Sequence, residues 1–195
     1  MRILYVHGYN GDPYGSSFSH LKKAAGASHE LYSVDYKAED PRAAIELIRQ
    51  TAMSHEIDVI IGASLGGFLT MHLFGFSRII VNPCWDPANE LPHVGYTGDT
   101  ALYSTLLEQF KENTDFEEKN LCSVCIAPHD ELLGERYRDI LENHFRNVYE
   151  ISGGHRICEV SADEIINNFL PIHEVNVRTF VKQLKGMDNL PIWEM

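Results

Sequence analysis

Short apolar runs rich in β-branched and aromatic residues recur along the chain: RILYV at 2–6, HELYSVD at 29–35, IDVIIG at 57–62, SRIIVN at 77–82, LCSVCIA at 121–127 and NVYEIS at 147–152. Their length and composition predict six strands. Between several of them the apolar spacing changes to a helical period. Residues 41–53 follow Asp40, a good N-cap, begin with Pro41 at a first position that tolerates proline, and place Ala44, Ile45, Ile48 and Ala52 along one face. Comparable patterns span 65–74, 101–112 and 134–145. Strand, helix, strand in repetition implies right-handed crossovers and a mostly parallel sheet of about six strands with helices on both faces, an α/β fold. The near-continuous apolar character of DVIIG and RIIV fits strands buried on both sides.

Two segments break this rhythm. Residues 83–120 are longer than one crossover helix needs and carry Trp85, Tyr96, Tyr103 and Phe110, so they read as a cap-like insertion above the sheet. From Ser161 the sequence SADE resembles a capping box, Ser161 to Glu164, and leads through Phe169 into a helical tail from about 171 with an amphipathic stretch near 175–185 and the end GMDNLPIWEM. The reading is one domain over residues 1–195.

Composition narrows what such a domain can do. At 195 residues, 44% hydrophobic and 23% charged, the chain can bury a sizeable core without staples. A formal net charge of −12, with no basic cluster, argues against nucleic acid and anionic membrane as partners. Met1 is followed at once by a strand-like run in place of a signal peptide, which predicts a cytoplasmic protein. Residues 57–76 are long and apolar enough to cross a bilayer, but Asp58, His72 and four glycines favour strand, turn and helix. Cys122 and Cys125 have the spacing of a redox pair. On one strand, three steps of ~3.3 Å put them on opposite faces and roughly 10 Å apart, beyond disulfide reach, so both read as packing residues.

The residues just after each predicted strand are where a parallel sheet collects its chemistry. Here they are HGYNGDPYG, GASLGG, NPCWDP, PHDELLG and GGHRICE. Gly62-x-Ser64-x-Gly66 has the pattern of a nucleophile elbow, a tight strand-to-helix turn that exposes a serine hydroxyl. A hydroxyl needs a base and a group to orient that base. His155 is the natural base and Asp130 the natural acid, in the chain order Ser, Asp, His of α/β-hydrolases, with Asp86 after the fourth strand as an alternative acid. The backbone N–H groups of Leu65 and Tyr9 are candidate oxyanion donors. His7 belongs to the same loop as Tyr9 and reads as a shaping residue; His129 adjoins Asp130, and His72 reads as packing. No HExxH motif or cysteine–histidine spacing points to a metal.

RILYVHGYNG, GASLGGFLT, VNPCWDP, Asp130 and GGHR together resemble the small bacterial YqiA-like esterases of the α/β-hydrolase superfamily, over about residues 1–170. The resemblance implies a cofactor-free serine esterase whose reduced sheet lacks the two amino-terminal strands of larger relatives. It carries Ser64 over as nucleophile, Asp130 as acid, His155 as base, and Tyr9 and Leu65 as oxyanion donors. The expected substrate is a small or short-acyl carboxylic ester or thioester, with Tyr9 and Trp85 as substrate-binding candidates. A non-catalytic binding protein on the same scaffold, or an acyltransferase with the same triad, is the alternative. The sequence distinguishes neither monomer from homo-oligomer nor whether the tail packs on this domain or on a partner.

Overall fold

The computed structural model describes residues 1–187. Its centre is a six-stranded, wholly parallel sheet in the order β2-β1-β3-β4-β5-β6, with β1 at Arg2–Val6, β2 at Glu30–Ser33, β3 at Val59–Ala63, β4 at Arg78–Val81, β5 at Cys122–Ile126 and β6 at Asn147–Glu150. All six predicted strands form, most trimmed by one to three residues in all. The register aligns Val6 with Gly62, Gly62 with Ile80, and Val81 with Cys125, so the loops that follow these strands emerge side by side. Strand order reverses between β1 and β3, and a crevice opens at such a reversal beyond the carboxyl ends of the strands.

Alternate residues of each strand feed two cores. Leu4, Val6, Ile60, Ile80 and Val124 face one layer built from α2 (Pro41–Ser54), α3 (Leu65–Met71) and α5 (Ala101–Asn113). Ile3, Tyr5, Ile61, Val81 and Cys125 face the other, which contains α1 (Ser16–Ala25), α8 (Glu159–Asp163) and the start of α9 (Leu170–Met187). Cys122 and Cys125 fall in different cores, both buried and free. Short helices at α4 (Pro87–Glu90), α6 (Phe116–Asn120) and α7 (Arg138–His144) complete the connections. Asp40 caps α2 by accepting the Ala43 N–H at 3.0 Å, as its sequence predicts. Among the described residues no helix is long and apolar enough to cross a membrane.

Two expectations are corrected and one helix is added. Helix α1 has no counterpart in the hydropathy reading. The predicted helix at 134–145 begins only at Arg138, because Gly134 adopts φ +56° and 131–137 form turns. The helix at SADE starts two residues earlier than Ser161: Cys158 is its N-cap, and the Ser161 hydroxyl accepts the Cys158 N–H at 2.8 Å. A π-helical turn over Glu164–Phe169 then joins α8 to α9. Of the end GMDNLPIWEM, the first two residues close α9, and 188–195 lie outside the described residues.

The tail packs on this domain. His173, fully buried on α9, places Nδ1 2.7 Å from the Ser123 hydroxyl on β5 and Nε2 2.8 Å from the Ser77 hydroxyl before β4. Beside it Arg78, also buried, donates to the Met71 carbonyl at 2.7 Å and pairs with Glu118, which keeps its charge satisfied. Burial, assisted by the Arg78 charge, lowers the His173 pKa from the usual 6.5 to about 4. The folded chain therefore keeps this imidazole neutral where the unfolded chain protonates it, so its contribution to stability is present above 6.5 and is lost as pH falls toward 4. Urea titrations at pH 7 and pH 5 test this: His173→Gln is expected to lose about 2 kcal/mol less stability between the two than the wild type.

Candidate active site

Strand β3 passes into α3 with no intervening loop. Ser64 occupies the junction with φ +54° and ψ −120°, a conformation that costs a non-glycine residue on the order of 1–3 kcal/mol. Its backbone is held from both sides: its N–H donates to the Val81 carbonyl at 3.0 Å, and its carbonyl accepts the Phe68 and Cys84 N–H groups at 3.1 and 3.0 Å. The flanking glycines are steric requirements. A Cβ on Gly66 would lie 2.2 Å from the Val6 carbonyl oxygen, and one on Gly62 would lie 2.5 Å from the Gly66 oxygen.

The loop after β6 brings His155 over this turn. Its Nε2 is 2.9 Å from the Ser64 hydroxyl and its Nδ1 is 2.8 Å from Asp130 Oδ2. Asp130, in the turn after β5, uses its other oxygen to accept the N–H groups of Leu132 and Leu133, each at 2.8 Å. Burial pushes the Asp130 carboxyl up, but the hydrogen bonds from His155, Leu133 and Leu132 outweigh it and leave the group below its ordinary value. An ionised Asp130 and a hydroxyl at opposite ends of one imidazole let the ring accept the hydroxyl proton without leaving an isolated charge. Asp86 takes a different place: it caps α4, accepting the Asn89 N–H at 3.3 Å.

Leu65 is the first residue of α3, where backbone N–H groups have no intrahelical acceptor. Tyr9 lines a cavity of about 470 Å³ that also includes Ser64, His155, Leu132 and Ile157. Its ring stands edge-on to Tyr96 at 5.6 Å. The loop carrying it is braced by His7, whose Nδ1 is 2.8 Å from the Gly8 carbonyl and whose ring stacks on Tyr36 at 4.5 Å. His72 is buried and spans the Phe68 and Leu106 carbonyls at 2.8 and 3.1 Å, a packing role as expected.

Trp85 is a correction. It is 4% exposed and packs edge-on against Phe110 and His144 at 6.0 and 5.2 Å, inside the first core and away from the cavity. The reason is general to residues 83–120. Tyr96, Tyr103 and Phe110 bury their rings in the first core, and among the described side chains of this segment Val94 alone lines the cavity.

Two supporting residues were not singled out from sequence. Asn82, at the end of β4 with φ +43°, donates from Nδ2 to the Gly154 and His155 carbonyls at 3.0 and 3.1 Å, and its Oδ1 accepts the Ala127 N–H at 2.7 Å. One buried side chain thus ties together the loops after β4, β5 and β6. Glu131 accepts the His155 N–H at 2.8 Å, which lowers its own pKa. The signal available in sequence was position alone: Asn82 directly follows a strand. Among the described residues no group of three or more His, Cys, Asp or Glu side chains is arranged to hold a metal.

The sheet order, the strained serine turn and the loops at the carboxyl edge define an α/β-hydrolase fold. Solved structures agree. The esterase domain of a Rhodothermus marinus protein is similar with a TM-score of 0.63 at 14% identity, over 88% of this chain and 84% of that one. Est1E from Butyrivibrio proteoclasticus is similar at 0.57 and 10% identity, over 94% and 88%. Alpha/beta hydrolase domain-containing protein 10 from mouse is similar at 0.55 and 14% identity, over 89% of each chain. No curated protein matches the sequence. The model of the Uncharacterised protein family (UPF0227), the YqiA-like family, matches residues 2–163, and the chain belongs to that family.

Replacing Asn82 by Ala removes three hydrogen bonds to buried backbone and leaves alanine in a left-handed conformation, so Asn82→Ala is expected to lower unfolding free energy by about 3 kcal/mol in urea titration.

Proposed function

We propose that the protein is a serine hydrolase acting on carboxylic esters or thioesters. The observation that carries the reading is the chain of contacts from the Ser64 hydroxyl through both nitrogens of His155 to Asp130, at 2.9 and 2.8 Å. In this reaction Ser64 Oγ attacks the acyl carbon as His155 Nε2 takes its proton, and the negative charge develops on the former carbonyl oxygen. The N–H groups of Leu65 and Tyr9 receive that oxygen; α3 adds the positive end of its dipole. His155 returns the proton to the departing alcohol or thiol, which leaves an acyl-serine. It then takes a proton from water, whose oxygen attacks the acyl carbon, and passes that proton to Ser64 as the acid is released. Asp130 fixes the imidazole tautomer and balances the transient imidazolium.

The Rhodothermus marinus esterase domain, which shares its fold with this chain, supports the same reading. A cavity of about 470 Å³ beside Ser64 is in keeping with a small acyl group. Hydrolysis of 4-nitrophenyl butyrate is expected in the wild type. Ser64→Ala should lose at least about 10³-fold in kcat with an unchanged far-ultraviolet circular dichroism spectrum. Turnover that survives this substitution would refute the nucleophile.

A further inference from the structure

The cavity above Ser64 has a charged feature that ester hydrolysis itself does not require. Arg156 follows His155 directly, is exposed, and among the described residues is the only Lys or Arg lining that cavity. Among the described residues it has no ion-pair partner, whereas Arg2, Arg78, Arg136 and Arg138 each pair with a glutamate. Arg42 and Arg146 also have no ion pair among the described residues; what sets Arg156 apart is an unpaired guanidinium on the cavity wall beside the imidazole, in a chain of net charge −12 where carboxylates are abundant.

Its backbone is not free to wander. The preceding residue is tied through its N–H to Glu131 and through its carbonyl to Asn82, which fixes where the arginine stem starts relative to the imidazole. Among the described residues the one carboxylate lining the cavity, Asp12, is engaged locally: its Oδ1 accepts the Tyr14 N–H at 2.8 Å. The remaining polar wall consists of neutral groups, among them Asn10, Ser16 and Ser17. A planar guanidinium with unused donors matches the paired oxygens of a carboxylate or a phosphate.

We propose that Arg156 makes the site selective for esters or thioesters whose acyl part carries an anionic oxygen group, a carboxylate or a phosphate. This rests on the hydrolase reading above and names the substrate class of the same pocket. Arg156 is then a specificity-determining residue: it holds the remote anion while Ser64 attacks the acyl carbon, and it takes part in no proton transfer.

The test compares 4-nitrophenyl hexanoate with two anionic analogues, 4-nitrophenyl hydrogen adipate and 4-nitrophenyl 5-phosphonopentanoate, in the wild type, Arg156→Gln and Arg156→Lys. The readout is the ratio of kcat/KM for each anionic ester over the neutral one, which cancels any general loss of activity or folded protein. The wild-type ratio is expected to exceed one for at least one anion. Arg156→Gln should lower it about tenfold, mainly through KM, and Arg156→Lys should recover part of it. The larger ratio of the two tells carboxylate from phosphate. A wild-type ratio at or below one for both anions, or a ratio unchanged in Arg156→Gln, overturns the selectivity while hydrolysis still lost in Ser64→Ala leaves the hydrolase reading standing. A wild type that hydrolyses none of the three overturns both.

Discussion

Helix α3 can start immediately at Ser64 only because nothing but hydrogen projects from Gly66 toward the carbonyls of Val6 and His7. A methyl group there would sit within 2.3 Å of both oxygens, so any other residue would drive α3 away from β1. That close approach decides three things at once. It fixes the strained backbone of Ser64 at the carboxyl edge of the sheet, sets the Leu65 N–H at a helix start, and holds the loop carrying Tyr9 against the same turn. The strain is offset by hydrogen bonds from Ser64 to Val81, Phe68 and Cys84, which join the turn to the neighbouring strand and to its own helix.

The parallel register extends the effect across the sheet. Since β4, β5 and β6 end in line, their following loops lie within reach of one another, and Asn82 links all three through one amide. Glu131 adds a second hold on the His155 backbone. The proposed base is therefore positioned by backbone contacts that are independent of its own ring, and Asp130 is left to set the ring's orientation. The opposite edge of the sheet uses buried polar groups for another end: Arg78, Glu118 and the His173 cluster fasten α6 and α9 beneath the strands, where they secure the fold without touching the cavity.

Much of this was legible in the sequence, for identifiable reasons. Strands buried on both faces leave long apolar runs, and β3 and β4 are unmistakable in that sense. The elbow was legible because its glycines are sterically obligatory. Helix α1 was not, since Gly15 supplies no capping side chain and only Phe18, Leu21 and Ala25 of its ten residues are buried. The aromatics of residues 83–120 look like pocket lining in one dimension, yet in three they are needed to cover α3 and the sheet, which is why Trp85 went to the core. Asn82 shows the remaining limit: its partners lie 45 to 73 positions away, and only the strand order brings them together.

The account stands or falls on whether the Ser64 hydroxyl owes its reactivity to the imidazole beside it. Second-order labelling rates with a fluorophosphonate, with the adduct located by peptide mass spectrometry, measure this in the folded protein. The account predicts a single adduct on Ser64 in the wild type and a rate lower by at least about 10³-fold in His155→Gln. Equal rates in the two proteins, or an adduct on another residue, would contradict it.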